Sequence, residues 1–265
     1  MHEDRKAMIR RDFLVKVGYS LVGSFLGLNL FSKSHALQRK SKEPLFRPQI
    51  ALIIDDIGHN IPSARRFLEL EAPMTFSILP RLTYSYDLAL EIHTFGHEVM
   101  LHQPMEPYNA DLDPGPGALF VGDEADRIIT VMEKNISDVP FVIGLNNHMG
   151  SRFTSSQREM KQALNVIREK DLFFVDSLTS SRSLAYETAI RLDITASFRN
   201  IFLDNQPTES AILSQLLQLK KHAKKYGSAI GIGHPHKITA KALGRFLERL
   251  DPEEISLVPI SDILY

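Results

Sequence analysis

Ala51-Leu-Ile-Ile-Asp-Asp-Ile-Gly-His59 is the stretch on which the fold is decided. The run 51–54 is short, apolar and rich in isoleucine, and a turn signal closes it, so it reads as a buried strand. Asp55 and Asp56 fall at its C-terminal end, where Gly58 lets the chain bend away. In α/β folds that edge of the sheet is where ligands bind. Two adjacent carboxylates repel each other, and a cation would compensate them.

Outward from this strand the chain alternates. Helical spacing is predicted over 61–70, 84–95, 123–136, 156–169, 183–191, 209–226 and 239–250. Strands are predicted over 74–79, 97–102, 141–145, 172–175, 194–198 and 228–232, with 255–259 closing the series as a candidate eighth. Such alternation builds a parallel sheet covered by helices. This many units in one chain favour a closed or nearly closed barrel over an open doubly wound sheet. The loop 103–119, rich in Pro, Gly and Asp, is long enough to be functional. No Gly-x-Gly-x-x-Gly follows a strand, and there is no phosphate-loop lysine motif or Gly-x-Ser-x-Gly elbow.

The 265 residues are sufficient for one large core. Hydrophobic residues at 43% and charged residues at 24% are ordinary for a globular protein. A formal net charge of −1, with no basic block among aromatics, argues against a nucleic-acid partner. The absence of cysteine excludes disulfides, thiolate metal sites and cysteine nucleophiles. Arg10-Arg11-Asp-Phe-Leu-Val-Lys16, the mildly apolar 17–31 and Ser34-His-Ala36 follow the order of an export signal of the twin-arginine type. Expected boundaries are therefore a signal over 1–36, a basic linker over 37–47 and the folded domain over 48–265. The expected location is the periplasm or cell envelope. The apolar stretch could instead remain as an anchor, but it is short for a membrane span, and no stable span is expected once the signal is removed.

Polar residues gather at the expected strand ends: Asp55 and Asp56, His102, Asn147 and His148, Asp176, Arg199, and His234 with His236. A barrel brings these ends to one face. His93, His97 and His222 fall on helices or strand starts and read as packing or surface residues. Carboxylate and imidazole ligands without thiolates suit zinc or another divalent first-row metal. Three protein ligands leave a position for water, a second carboxylate can take that water's proton, and a histidine can protonate a leaving amine.

Ile53-Ile-Asp-Asp-Ile-Gly58, Leu101-His-Gln-Pro-Met-Glu-Pro107, Asn146-Asn-His-Met-Gly-Ser151 and Ile232-Gly-His-Pro235 together resemble the divergent polysaccharide deacetylase family, a branch of the carbohydrate esterase and deacetylase group. The resemblance spans 48–265. It implies a distorted (β/α) barrel of about seven strands and a metal-dependent deacetylase site. Asp55 matches the catalytic base, Asp56 a metal-ligand aspartate, His102 the first metal histidine and His234 the general acid. Asp176 is the expected partner that orients His234. Where the wider group places a second metal histidine, this chain has Glu106; His148 is the preferred replacement and Glu106 the second choice. Glu106, Asn147, Arg152, Arg199 and His236 are the expected substrate-binding residues. The function so implied is an exported, zinc-type metal-dependent hydrolase that removes acetyl groups from a cell-envelope glycan. The alternatives are an inactive deacetylase-fold module that binds a glycan or a protein, and an amidase or glycosidase on the same scaffold. Adjacent carboxylates seldom supply the opposed pair that a glycosidase needs.

Overall fold

The computed structural model describes residues 47–264. The expected signal and all of the expected linker but Arg47 lie outside the described residues. Among the described residues nine parallel strands form one sheet: β1 Gln49–Ile57, β2 Thr75–Ile78, β3 Glu98–Met105, β4 Val142–Met149, β5 Phe173–Asp176, β6 Ala196–Phe198, β7 Ile201–Phe202, β8 Ser228–Gly233 and β9 Ser256–Leu257. Their order is β6-β5-β4-β3-β2-β1-β8-β7. No pairing joins β6 to β7 among the described residues, so the curled sheet is an incompletely closed barrel. The helices are α1 Ile61–Leu68, α2 Ser85–Thr94, α3 Ala125–Asp138, α4 Gln157–Glu169, α5 Ala185–Arg191, α6 Glu209–Tyr226 and α7 Lys237–Leu247.

The path holds eight strands where about seven were expected. The added strand is β7, two residues long and too short to show any periodicity. β9 widens nothing. It pairs with Gln49 and Ile50 at the start of β1, and β2 takes over from Ile53.

Side chains alternate across the sheet, and the core divides accordingly. Ile50, Leu52, Ile54, Phe76, Leu101, Leu145 and Phe174 belong to the apolar layer shared with the helices. Ala51, Ile53, Met100, Phe173, Val175, Ile230 and Ile232 form a second cluster inside the barrel. Ile260 and Ile263, from a 3-10 turn, close this interior from below, where the Ile260 N–H donates to Thr75 Oγ1 at 3.1 Å. The inner positions continued upward along β1, β3, β4, β5 and β8 are Asp55, His102, Asn146 with His148, Ser177 and His234. The parity that fills the barrel with isoleucine below thus fills its mouth with polar groups above.

Phe173 reaches its place because Gly144 faces it. A Cβ on Gly144 would lie 2.2 Å from the Phe173 ring. Gly144→Ala is therefore expected to destabilise the fold by about 1–3 kcal/mol through overpacking, read as a lower urea midpoint. Phe173→Leu in the same chain should recover part of the loss. An alanine variant as stable as the parent would show that the ring is not held against Gly144.

Candidate metal centre

Alternation alone would turn Asp56 away from the barrel interior. Instead its backbone adopts φ 56°, in the left-handed region, and the β1–β2 register shifts between Ile54 and Ile57. Irregularities of this kind re-aim side chains next to functional sites, and non-glycine residues hold such a conformation only under local constraint. As a result both neighbouring carboxylates serve the same mouth.

Asp56 Oδ1 lies 3.1 Å from His102 Nε2 and 2.9 Å from His148 Nδ1. The two ring nitrogens are 3.2 Å apart. Three donor atoms from β1, β3 and β4 thus enclose one point, close enough together to hold a metal ion. Zinc bound to nitrogen and oxygen ligands at about 2.0–2.2 Å in tetrahedral geometry needs donors roughly 3.3–3.5 Å apart, so a cation would require only a slight spreading of the three. Asp56 Oδ1 is buried and accepts no well-aligned hydrogen bond, which leaves its lone pair for a cation. The donor set fits a divalent metal.

His102 is prepared for that role from behind. Its Nδ1 lies 2.7 Å from Asn146 Oδ1, which also accepts the Ser77 hydroxyl, while Asn146 Nδ2 donates to Asp55 Oδ1 at 2.8 Å. A proton on Nδ1 shared with Asn146 leaves the Nε2 lone pair facing Asp56. Such outer partners fix the tautomer and orientation of a ligating imidazole.

Asp55 is 3% exposed, its Oδ2 3.6 Å from His102 Nε2. Burial raises its carboxyl pKa, and the facing His102 and His234 only partly offset this. Burial also acts against the charge of Asp56, but the imidazoles of His102 and His148 outweigh it and hold Asp56 below the usual carboxylate range. His102 is raised: burial opposes its charge, and Asp55 and Asp56 overcome the opposition.

Across from these groups His234 Nε2 stands 3.9 Å from Asp56 Oδ2, and His234 Nδ1 is 2.9 Å from Asp204 Oδ1. Asp204 Oδ2 accepts from the His234 backbone N–H and the Thr239 hydroxyl, which fixes the carboxylate. Burial alone would lower the His234 pKa, but Asp204, Asp55 and Asp56 push it up to about 9. Asp55, His102, His148 and His234 face a cleft of about 380 Å³ walled by Met149, Thr179 and Phe202.

The other expected residues divide. Arg199 lines the cleft, its Nε and one terminal nitrogen donating to the carbonyls of Ser177 and Leu178 at 2.6 and 2.8 Å. Asp176 does not touch His234. Its carboxylate accepts the Leu178 and Tyr186 N–H groups and the Ser183 hydroxyl, tying down the start of α5, because it sits on the helix side of β5. Asp204 occupies the place expected of Asp176. Asn147 lines the cleft although its parity along β4 is the outer one, and its amide is used by Met149 and Ser177 of the adjoining backbone. Glu106 stays out of the metal cluster, paired with Arg152 at 2.7 Å and accepting the Val121 N–H. His236 precedes α7 and lies beyond His234, in a small cleft that Asp56, His59 and Asn60 also line. Asn146 and Asp204 were not anticipated.

Residues 52–264 match the model of the divergent polysaccharide deacetylase family. The chain belongs to that family. An uncharacterised protein of Escherichia coli strain K12, YibQ, is 30% identical over 221 residues, covering 83% of this chain and 69% of that one. In fold, the divergent deacetylase domain is similar to an uncharacterised protein from Agrobacterium tumefaciens, with a TM-score of 0.78 at 23% identity over 82% of this chain and 89% of that one. It is also similar to the catalytic domain of a peptidoglycan N-acetylglucosamine deacetylase from Eubacterium rectale, with a TM-score of 0.51 at 11% identity over 81% and 89% of the two chains. At these identities the two structures share the deacetylase fold with this chain. No helix among the described residues is long and apolar enough to cross a membrane.

Proposed function

We propose that this protein is an exported, metal-dependent hydrolase that removes acetyl groups from a cell-envelope polysaccharide. The observation that carries the reading is the convergence of Asp56, His102 and His148 beside two further proton-handling groups, Asp55 and the His234–Asp204 pair. Family membership supports the reaction class. The glycan class is drawn from the peptidoglycan deacetylase that shares the fold.

Asp56, His102 and His148 would hold the cation, and zinc suits an oxygen and two imidazole nitrogens. A bound divalent ion supplies polarisation of an acyl carbonyl and a lower pKa for water. Asp55 then takes the proton of the attacking water, and its burial keeps the carboxylate basic enough to do so. His234, protonated at neutral pH, gives a proton to the departing amine or alkoxide, while Asp204 holds its ring and steadies the charged form. The second reading, a binding module, draws on Glu106, which stands where the wider group has a metal histidine and is turned to Arg152.

Purified protein incubated with acetylated envelope glycans should release acetate and no new reducing ends. Reducing ends without acetate would favour a glycosidase, and neither product would favour the binding module. Export rests on Arg10 and Arg11. Replacing both by lysine should retain the precursor inside the cell, as fractionation and immunoblotting would read, whereas undiminished export would remove the twin-arginine reading.

A further inference from the structure

The loops that run on from the cleft wall at Met149 and Thr179 bring together an aromatic ring and a cation that the reaction itself does not use. Thr179 Oγ1 donates to the Met149 carbonyl at 2.7 Å, which joins the β4 and β5 loops into one wall. Two residues past Met149, Ser151 Oγ accepts the Tyr108 N–H at 2.9 Å. Three residues past Thr179, the Arg182 guanidinium stands 5.8 Å from the Tyr108 ring centroid. The Tyr108 hydroxyl is 2.8 Å from Ser155 Oγ, and that serine donates onward to the Arg152 carbonyl, so the phenol is held at its tip. Tyr108 is nonetheless 51% exposed.

The charges around it are unequal. Arg152 is paired with Glu106. Among the described residues Arg182 forms no ion pair and is exposed. Of the acids in the loop that carries Tyr108, Glu106 is paired with Arg152, while Asp111 and Asp113 form no ion pair among the described residues and Asp113 accepts the Gly115 N–H within its own turn. The hydrogen bond to Ser155 and the guanidinium groups of Arg182 and Arg152 lower the Tyr108 phenol pKa.

We propose that Tyr108 and Arg182 form a subsite for a carboxylate-bearing sugar next to the unit that is deacetylated, with Tyr108 as the stacking surface and Arg182 as the counter-ion. A pinned, half-exposed aromatic gives a pyranose an apolar face at little entropic cost. A guanidinium offers paired donors to a carboxylate. The inference deepens the deacetylase reading and rests on it: the substrate class becomes an acidic acetylated glycan. The carboxylate can belong to a uronic acid or to a lactyl ether on the sugar.

The full chain is titrated calorimetrically with acetylated oligosaccharides of each kind and with the same compounds after reduction of the carboxylate to an alcohol. Acetate release is followed in parallel. The parent protein should bind at least one acidic form about 10- to 100-fold tighter than its reduced counterpart, the range of one charge-assisted contact, and the probe that gains names the source. Arg182→Gln should remove that preference and raise KM for the acidic substrate with kcat unchanged, while Tyr108→Leu should weaken acidic and reduced forms alike. Equal binding of acidic and reduced forms by the parent protein, or a preference that survives in Arg182→Gln, would overturn the subsite. Failure to release acetate with the binding preference intact would count against the deacetylase reading and leave the subsite standing.

Discussion

Asp56→Asn and His102→Ala are expected to lose metal and turnover together, and Asp55→Asn is expected to lose turnover alone. The difference follows from where the oxygen atoms lie. Asp56 Oδ1 is the buried atom enclosed by two imidazole nitrogens, whereas Asp55 spends Oδ1 on Asn146 and turns Oδ2 toward the cleft beside His102. An amide in place of Asp55 keeps the shape and can no longer accept a proton. General-base groups contribute ~100- to 10,000-fold, so acetate release by Asp55→Asn should fall by that range with metal stoichiometry unchanged. An Asp55→Asn protein purified without its metal would overturn the division of roles between the two neighbours.

Asp204→Asn should lower turnover by about 10- to 100-fold, as the loss of an orienting partner does at comparable sites. It carries a signature that a purely structural defect would not. Asp204 favours the charged form of His234, so its removal should bring the His234 pKa in the metal-free protein down from about 9 toward the ordinary imidazole value. NMR titration of the ring resonances reads this directly. Asp176→Asn should leave the His234 titration where it is and instead cost roughly 1 kcal/mol of stability, because Asp176 serves the first turn of α5. A shift in Asp176→Asn and none in Asp204→Asn would reverse the assignment.

The two aspartates also show what the sequence made legible. The β-branched runs, their spacing and their polar ends were enough for a parallel barrel with its polar residues gathered at one mouth, and Asp55, Asp56, His102, His148 and His234 all come together there. Asp176 stands out just as clearly at a strand end, yet it lies on the helix side, whereas Asn147 reaches the cleft with its amide taken up by the adjoining backbone. The alternation carried through the polar residues would have pointed to Asn146 as well: positions 144, 146 and 148 of β4 share the inner face. What obscured this was the assumption that β1, β3 and β4 stop where their apolar runs stop. They continue to Ile57, Met105 and Met149, because the polar side chains at the mouth satisfy one another and the backbone ladder proceeds beneath them.

Two features had no signal of this kind. β7 is two residues long, and Asp204 follows it by two, so nothing local marks that aspartate as part of a strand end. The left-handed backbone of Asp56 is a tertiary outcome: aspartate tolerates that region, but nothing local requires it inside a strand. It is also what makes two consecutive carboxylates serve one site, and the proposed separation of metal ligand from base depends on it.

The most direct test is a metal titration of chelator-stripped protein, with acetate release from an acetylated envelope glycan followed at each addition of zinc. The stripped protein should release none, and recovery should be linear and end at one zinc per chain. Acetate release that persists after stripping, or a chain that binds one zinc and releases no acetate from any glycan offered, would contradict the proposed function.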